Sequence, residues 1–151
     1  MVTEEFPDSF ADVLGGVQRL IRRRLRAGMP EPRLRGAQVE LLRLVMAHPG
    51  IRVSAAAREL YLAGNSVSTL VNQLVKAGFL YRETDPEDRR SARLTVTPAA
   101  EARMRAWQAR RGALVREQVA RLSESDRAAL AAAVPALRKL AENLHEEVEG
   151  I

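Results

Sequence analysis

From Ser9 to Arg26 the apolar residues fall at Phe10, Val13, Leu14, Val17, Leu20, Ile21 and Leu25. That i, i+3, i+4, i+7 spacing predicts an amphipathic helix over 9–26. Gly15-Gly16 lies inside it, each glycine costing about 1 kcal/mol against Ala, and we read the pair as tolerated rather than as a close-approach site. The stretch "RAGMPEPR" ends the helix with Gly28, Pro30 and Pro32. A second helix is predicted over Gly36–Ala47, with Val39, Leu42, Val45 and Met46 on its apolar side, stopping at His48-Pro49-Gly50. A histidine at a helix C-terminus complements the dipole, so His48 reads as a cap. "VSAAAREL" opens a third helix with Ser54 as its expected N-cap and Ala56, Ala57 and Leu60 facing inward. The turn "LAGN" leads into a fourth helix, "NSVSTLVNQLVK", closed by Gly78. Two short helices joined by a tight, Gly-containing turn form the helix-turn-helix pattern.

The period then changes from 3.6 to 2. Phe79–Glu83 and Ala92–Val96 are predicted as strands, and Asp85-Pro86-Glu87-Asp88 suits a turn with Asp first and Pro second. Ala92, Leu94 and Val96 alternate with Arg93, Thr95 and Thr97, giving a buried and a wet face. Pro98 starts a long helix to about Leu122, along Met104, Trp107, Leu114, Val115 and Val119. "SESD" offers a capping box from Ser123 to Asp126. A last helix over 126–148 carries Leu130, Leu137 and Leu144 at seven-residue intervals, with a kink expected at Pro135. The expected fold is therefore mainly α with a small two- to three-stranded β hairpin. It reads as a single domain over 1–151, with a compact module at 36–97 bracketed by helices at 9–26 and 98–148.

Composition narrows the chemistry. The chain has 151 residues, 46% of them hydrophobic and only 4% aromatic, so a core must be built mainly from Leu, Val and Ala. Without cysteine there is no disulfide, thiol nucleophile or thiolate metal site, and two histidines, His48 and His145, leave little for zinc or a His-based triad. No metal or cofactor is expected. No apolar run approaches a membrane span, and the acidic start "MVTEEFPDSF" is unlike a signal peptide, so a cytoplasmic protein is expected. The net charge is +5, and all but Lys76 and Lys139 of the 24 basic residues are Arg. A basic balance favours a polyanionic partner through counterion release.

The fourth helix says where that partner would sit. At 100° per residue, Val67, Leu70, Val71 and Leu74 share one side. Asn65, Thr69, Asn72 and Lys76 line the other, flanked by Ser68 and Gln73. A plain solvated face would use Glu, Lys and Arg, which form helices better than Asn, Ser and Thr. Asn and Gln can pair two-pronged with adenine in a major groove, and Ser and Thr suit phosphates. Arg89, Arg90 and Arg93 crowd the hairpin. An arginine on a loop beside a groove-reading helix can enter the minor groove, and Asp88 can hold the guanidinium of Arg90. Arg93 would face solvent within reach of a phosphate. The acidic group Asp85, Glu87 and Asp88 is more simply ion-paired with neighbouring arginines than catalytic, so no enzyme is expected.

Together "GAQVELLRLV", "VSAAAREL", "NSVSTLVNQLVKAGFLYR" and "DPEDRRSARLTVTPAA" resemble the MarR family of bacterial winged helix-turn-helix transcriptional regulators, over nearly the whole chain. Asp88 and Arg90 fall on the family's wing Asp-x-Arg element, and Ser66 and Ser68 on its hydroxyl positions at the start of the recognition helix. Thr69 and Gln73 stand where many members carry Arg, and Ala100 replaces a usual Gly. The resemblance implies a homodimer built from the helices at 9–26 and 98–148, a palindromic double-stranded DNA operator, and repression relieved by a small aromatic or phenolic ligand. Phe10, Leu14, Met46, His48 and Trp107 are candidates for that ligand's site by location. The rival expectation is a winged helix that binds protein and not DNA; an acidic or apolar recognition face would favour it, and this face is polar and neutral.

Overall fold

In the computed structural model, described for residues 5–88 and 91–149 and without the side chains of 146–149, six helices and three short strands follow one another. The order is α1 (Phe6–Arg26), α2 (Gly36–Ala47), β1 (Ile51–Arg52), α3 (Val53–Glu59), α4 (Gly64–Lys76), β2 (Leu80–Thr84), β3 (Ala92–Val96), α5 (Pro98–Ala120) and α6 (Glu124–Glu149). The fold is the expected one: mainly helical, with a small antiparallel sheet in the order β1-β3-β2. The chain divides into two compact units, Met1–Arg110 and Arg111–Ile151.

The first unit holds the core. Leu41, Leu42 and Val45 of α2, Ala56 and Ala57 of α3, and Val67, Val71 and Leu74 of α4 are buried together with Leu80, Leu94, Ala100 and Met104. Each fully buried Leu or Val stabilises the fold by about 1.5–3 kcal/mol relative to an exposed one. Leu41 joins this core although it lies outside the stripe read for α2, because α2 is covered on more than one side.

Strand register follows the alternation. Leu80 faces Val96, Arg82 faces Leu94 and Thr84 faces Ala92 across β2 and β3, while Ile51 faces Leu94 and Arg52 faces Arg93 across β1 and β3. β1 has only two residues, too few for a period to be read, and its place in the sheet was not located from sequence.

Several boundaries differ from those expected, each for a local reason. α1 starts at Phe6, with Pro7 in its first turn, where a missing N–H costs nothing. Ser54 is not the N-cap of α3. Arg52 holds that place with extended backbone, Val53 is the first helical residue, and Ser54 is the second. α5 ends at Ala120 and α6 begins at Glu124. Thr97, expected on the wet face of β3, is buried. Its Oγ1 donates to the Gly78 carbonyl at 2.7 Å and accepts the Ala100 N–H at 3.2 Å, so it caps α5.

Gly78 closes α4 as expected. It takes φ +81°, its N–H reaches the Val75 carbonyl and the Phe79 N–H reaches the Leu74 carbonyl. That double bond pattern needs a left-handed residue, which glycine supplies without strain. Added Cβ atoms at Gly15 and Gly16 would meet only the flexible end of Arg19, in keeping with a tolerated pair. Two arginines of α5 tie down the segment after α1: Arg103 donates to the Pro30 carbonyl at 2.8 Å and Arg110 to the Ala27 carbonyl at 3.0 Å. Arg103 also lies 5.4 Å over the Phe79 ring.

In the second unit, Ser123 Oγ accepts the Asp126 N–H at 3.1 Å and starts α6, as the capping pattern predicts. Leu130, Val134, Leu137, Leu140 and Leu144 are all exposed along that helix. No helix among the described residues is long and apolar enough to cross a membrane.

Candidate nucleic-acid interface

α4 buries Val67, Val71 and Leu74 and thereby turns its polar side outward. Asn65, Ser66, Thr69, Asn72, Gln73 and Lys76 are exposed, and Ser68 is half-buried. The helix-turn-helix partner α3 packs behind it, and β2 runs alongside from Leu80. The polar side chains are already organised. Thr69 Oγ1 donates to the Asn65 carbonyl at 3.0 Å, one turn back. Asn72 Oδ1 accepts from Arg82 Nη1 of β2 at 2.9 Å, and Gln73 Oε1 accepts from Gln38 Nε2 of α2 at 3.0 Å. The face therefore reaches beyond its own helix.

The root of the β2–β3 hairpin is held by one carboxylate. Asp85 is fully buried, and its Oδ2 lies 2.9 Å from Arg52 Nη2 and 3.2 Å from Arg93 Nε. Its Oδ1 accepts the Glu87 N–H at 3.0 Å, and its own N–H donates to the Ser91 carbonyl at 3.0 Å. Arg52 and Arg93 are direct cross-strand neighbours, a like-charge pairing that destabilises a sheet. Asp85 lies against both guanidiniums and compensates their repulsion. The Glu87 N–H holds the Asp85 carboxyl below its ordinary pKa, with Arg93 and Arg52 assisting against the opposing effect of burial.

From sequence, Asp85 read as the first residue of a turn and as one of an acidic group ion-paired with neighbouring arginines; its partners are Arg52 and Arg93. The structure makes it the tie between three strand ends. Arg93 is exposed on the wet face, as expected, and its guanidinium is at the same time engaged by Asp85. Asp88 accepts the Ser91 N–H through its carbonyl at 3.0 Å. Arg89 and Arg90, and with them the expected grip of Asp88 on Arg90, lie outside the described residues.

Residues 34–91, the segment from just before α2 into the hairpin, match the sequence model of the MarR family. Over that segment the chain is similar to the MarR family, and the segment is built as a winged helix-turn-helix. No curated protein matches the chain. Among solved structures, RV1404 from Mycobacterium tuberculosis superposes with a TM-score of 0.78 at 22% identity, over 93% of this chain and 97% of that one. Streptococcus pneumoniae FabT in complex with DNA gives a TM-score of 0.70 at 20% identity, over 93% and 98%. PcaV from Streptomyces coelicolor, in complex with its natural ligand, gives 0.61 at 19% identity, over 94% and 97%. At these identities the likeness is one of fold.

In the winged helix-turn-helix fold, α4 stands in the place of the recognition helix and the β2–β3 hairpin in that of the wing. Arg82 and Gln38, which the sequence reading passed over, join the recognition face through Asn72 and Gln73. Their signal was absent from any single element, since Gln38 precedes Gln73 by 35 residues. The five candidate ligand-site residues have different surroundings. Phe10 is half-buried and stacks on Phe6 at 5.9 Å. Met46 packs partly against the module core, Leu14 is exposed, Trp107 is half-buried on α5, and His48 is exposed as the C-cap of α2.

Proposed function

We propose that this chain is a sequence-specific, double-stranded DNA-binding transcriptional regulator of the MarR family. It acts in the cytoplasm as a homodimer on a palindromic operator and binds rather than catalyses. The observation that carries this reading is the outward polar side of α4, neutral except for Lys76, beside a hairpin whose sequence is rich in arginine. Hydrogen-bonding side chains of that kind suit a major groove, where each base pair displays its own donors and acceptors. Arg89 and Arg90 stand in the chain between β2 and β3. We assign Arg90 to the minor groove, where the negative potential is deepest.

The dimer is supported by apolar residues left uncovered in the single chain. On α1, Val13, Val17 and Leu20 are exposed, Leu20 at 57%; on α6, Leu130 through Leu144 are exposed, Leu144 at 61%. Such stripes mark surfaces for another helix. A two-fold dimer places its two recognition helices about one DNA turn apart, hence a palindrome. FabT was solved with DNA and PcaV with its natural ligand. That likeness supports a DNA-binding, ligand-responsive regulator; the sequence resemblance to the MarR family adds the proposal of repression relieved by a small aromatic or phenolic molecule. A ligand can do this only by preferring a dimer whose recognition helices are wrongly spaced for DNA.

The reading is tested by fluorescence anisotropy of the chain and of Arg90→Ala on duplex DNA from upstream of its own gene, against a scrambled duplex and across a salt series. Preferential binding that weakens linearly in log salt is expected, with Arg90→Ala weaker by about 1–3 kcal/mol. Salt-independent binding, or no preference for any duplex in a random pool, would assign the module to a protein partner instead.

A further inference from the structure

We propose that Arg82 and Gln38 fix Asn72 and Gln73 as hydrogen-bond donors, so that the recognition helix reads acceptor-rich base edges, guanine above all, rather than adenine. The inference rests on the DNA-binding reading and specifies what that same face recognises. The sequence alone points towards adenine, because Asn and Gln pair with it through both amide atoms.

The amide orientations follow from partners that can only donate. A guanidinium has five N–H donors and no acceptor. The Asn72 atom 2.9 Å from Arg82 Nη1 is therefore the oxygen, Oδ1. For Gln73 the same logic runs through two steps. The backbone N–H of Arg35 donates at 2.8 Å to Gln38, which must present Oε1 there. The other branch of the Gln38 amide, Nε2, then faces Gln73 at 3.0 Å, and Gln73 must answer with Oε1. In both residues the free branch of the planar amide is the amino group. Lys76 adds further donors, while Thr69 has its proton committed to the Asn65 carbonyl and keeps only lone pairs and a methyl group.

Two-pronged recognition of adenine needs the amide oxygen to accept from the N6 amino group while the amide nitrogen donates to N7. At Asn72 that oxygen lies beside a cationic guanidinium, so an incoming amino group would meet a second donor and a positive charge. At Gln73 it lies beside the Gln38 amino group. Guanine presents O6 and N7, both acceptors, on one edge. Those atoms are attracted to the amide amino groups and, near Asn72, to the remaining donors of Arg82.

The test is selection from a random duplex library by the wild-type chain, Arg82→Leu and Gln38→Leu. Anisotropy then follows on the selected duplex, with each candidate guanine replaced by adenine or by 7-deazaguanine. The readout is the guanine-to-adenine affinity ratio, which a uniform loss of phosphate attraction in Arg82→Leu does not move. Thermal unfolding confirms that both variants are folded. Wild type is expected to select guanine and to lose about tenfold on exchange to adenine, as for a good specific contact. Each variant should bring its own position to within about twofold, because a released amide can rotate to satisfy either base. Selection of adenine by the wild type, or a ratio unchanged in both variants, overturns the proposal while leaving DNA binding intact. A wild type that selects no duplex at all overturns the DNA-binding reading, and this inference with it.

Discussion

Thr97 connects the end of the recognition helix to the start of α5, and its hydroxyl makes both connections. The side chain is only 6% exposed. Its Oγ1–H donates to Gly78, the residue that terminates α4, and its lone pair accepts the Ala100 N–H in the first turn of α5. Thr97→Val keeps the shape and removes both bonds. Loss of a Thr cap costs about 1 kcal/mol. Loss of the bond to Gly78 costs about 1 kcal/mol more, and no larger penalty is due there because Gly78 is exposed and its carbonyl can take water. The sum is about 2 kcal/mol, or about 4–8 °C in Tm for a chain of this length. Urea and thermal unfolding followed by circular dichroism read the change directly. Thr97→Ser, which keeps the hydroxyl and loses a methyl, should recover at least half of it. If Thr97→Val unfolds within about 0.5 kcal/mol of wild type, the two hydrogen bonds are not stabilising. If Thr97→Ser is as damaged as Thr97→Val, the methyl group and not the hydroxyl carries the effect. The backbone bond from the Thr97 N–H to the Phe79 carbonyl survives in both variants, so the hairpin register is not what is being tested.

The Asp85 carboxyl, held below its ordinary pKa by the Glu87 N–H and the two arginines, contributes stability that is fully present above the unfolded value. That stability is lost as pH falls from about 4 through the depressed folded value. Asp85→Asn is expected to be less stable than wild type near neutral pH, with the gap closing in acid. Parallel urea midpoints for the two proteins from neutral pH down to about pH 3 would remove the carboxylate from the explanation. The uncovered stripes of α1 and α6 predict that Leu20→Glu and Leu137→Glu each convert a dimer to monomers in sedimentation equilibrium, because a buried unpaired charge costs several kcal/mol. A wild-type chain already monomeric at tens of micromolar, or two variants that stay dimeric, would reject that assignment.

Where one face of an element is buried and the other is wet, the chain announces the element. The stripes Val67-Leu70-Val71-Leu74 of α4 and Ala92-Leu94-Val96 of β3 were readable because core contact imposes a period on them. β1 was not, because two residues carry no period; it exists through the bond from the Gly50 N–H to the Leu94 carbonyl and its pairing with β3. Ser54 misled for a related reason. A hydroxyl before an alanine run signals a cap, but here the strand Ile51–Arg52 delivers the chain straight into α3 two residues earlier.

The site was legible as a surface and illegible as a code. Periodicity tells which residues of α4 point outward, and side-chain type tells that they can hydrogen-bond. Neither tells which end of an amide is free. That depends on Arg82, delivered by the strand after the helix, and on a backbone N–H at Arg35 acting through Gln38. Asp85 shows the same limit with charge in place of hydrogen bonds. In sequence it sits among acidic residues before a pair of arginines. In space its partners are Arg52, 33 positions earlier, and Arg93, on the return strand. Two arginines would repel across β1 and β3 without it, so the hairpin's root depends on a residue whose partners no local pattern reveals. On the proposed reading, specificity would be set by groups that need not touch the nucleic acid themselves, but decide what the touching groups can offer.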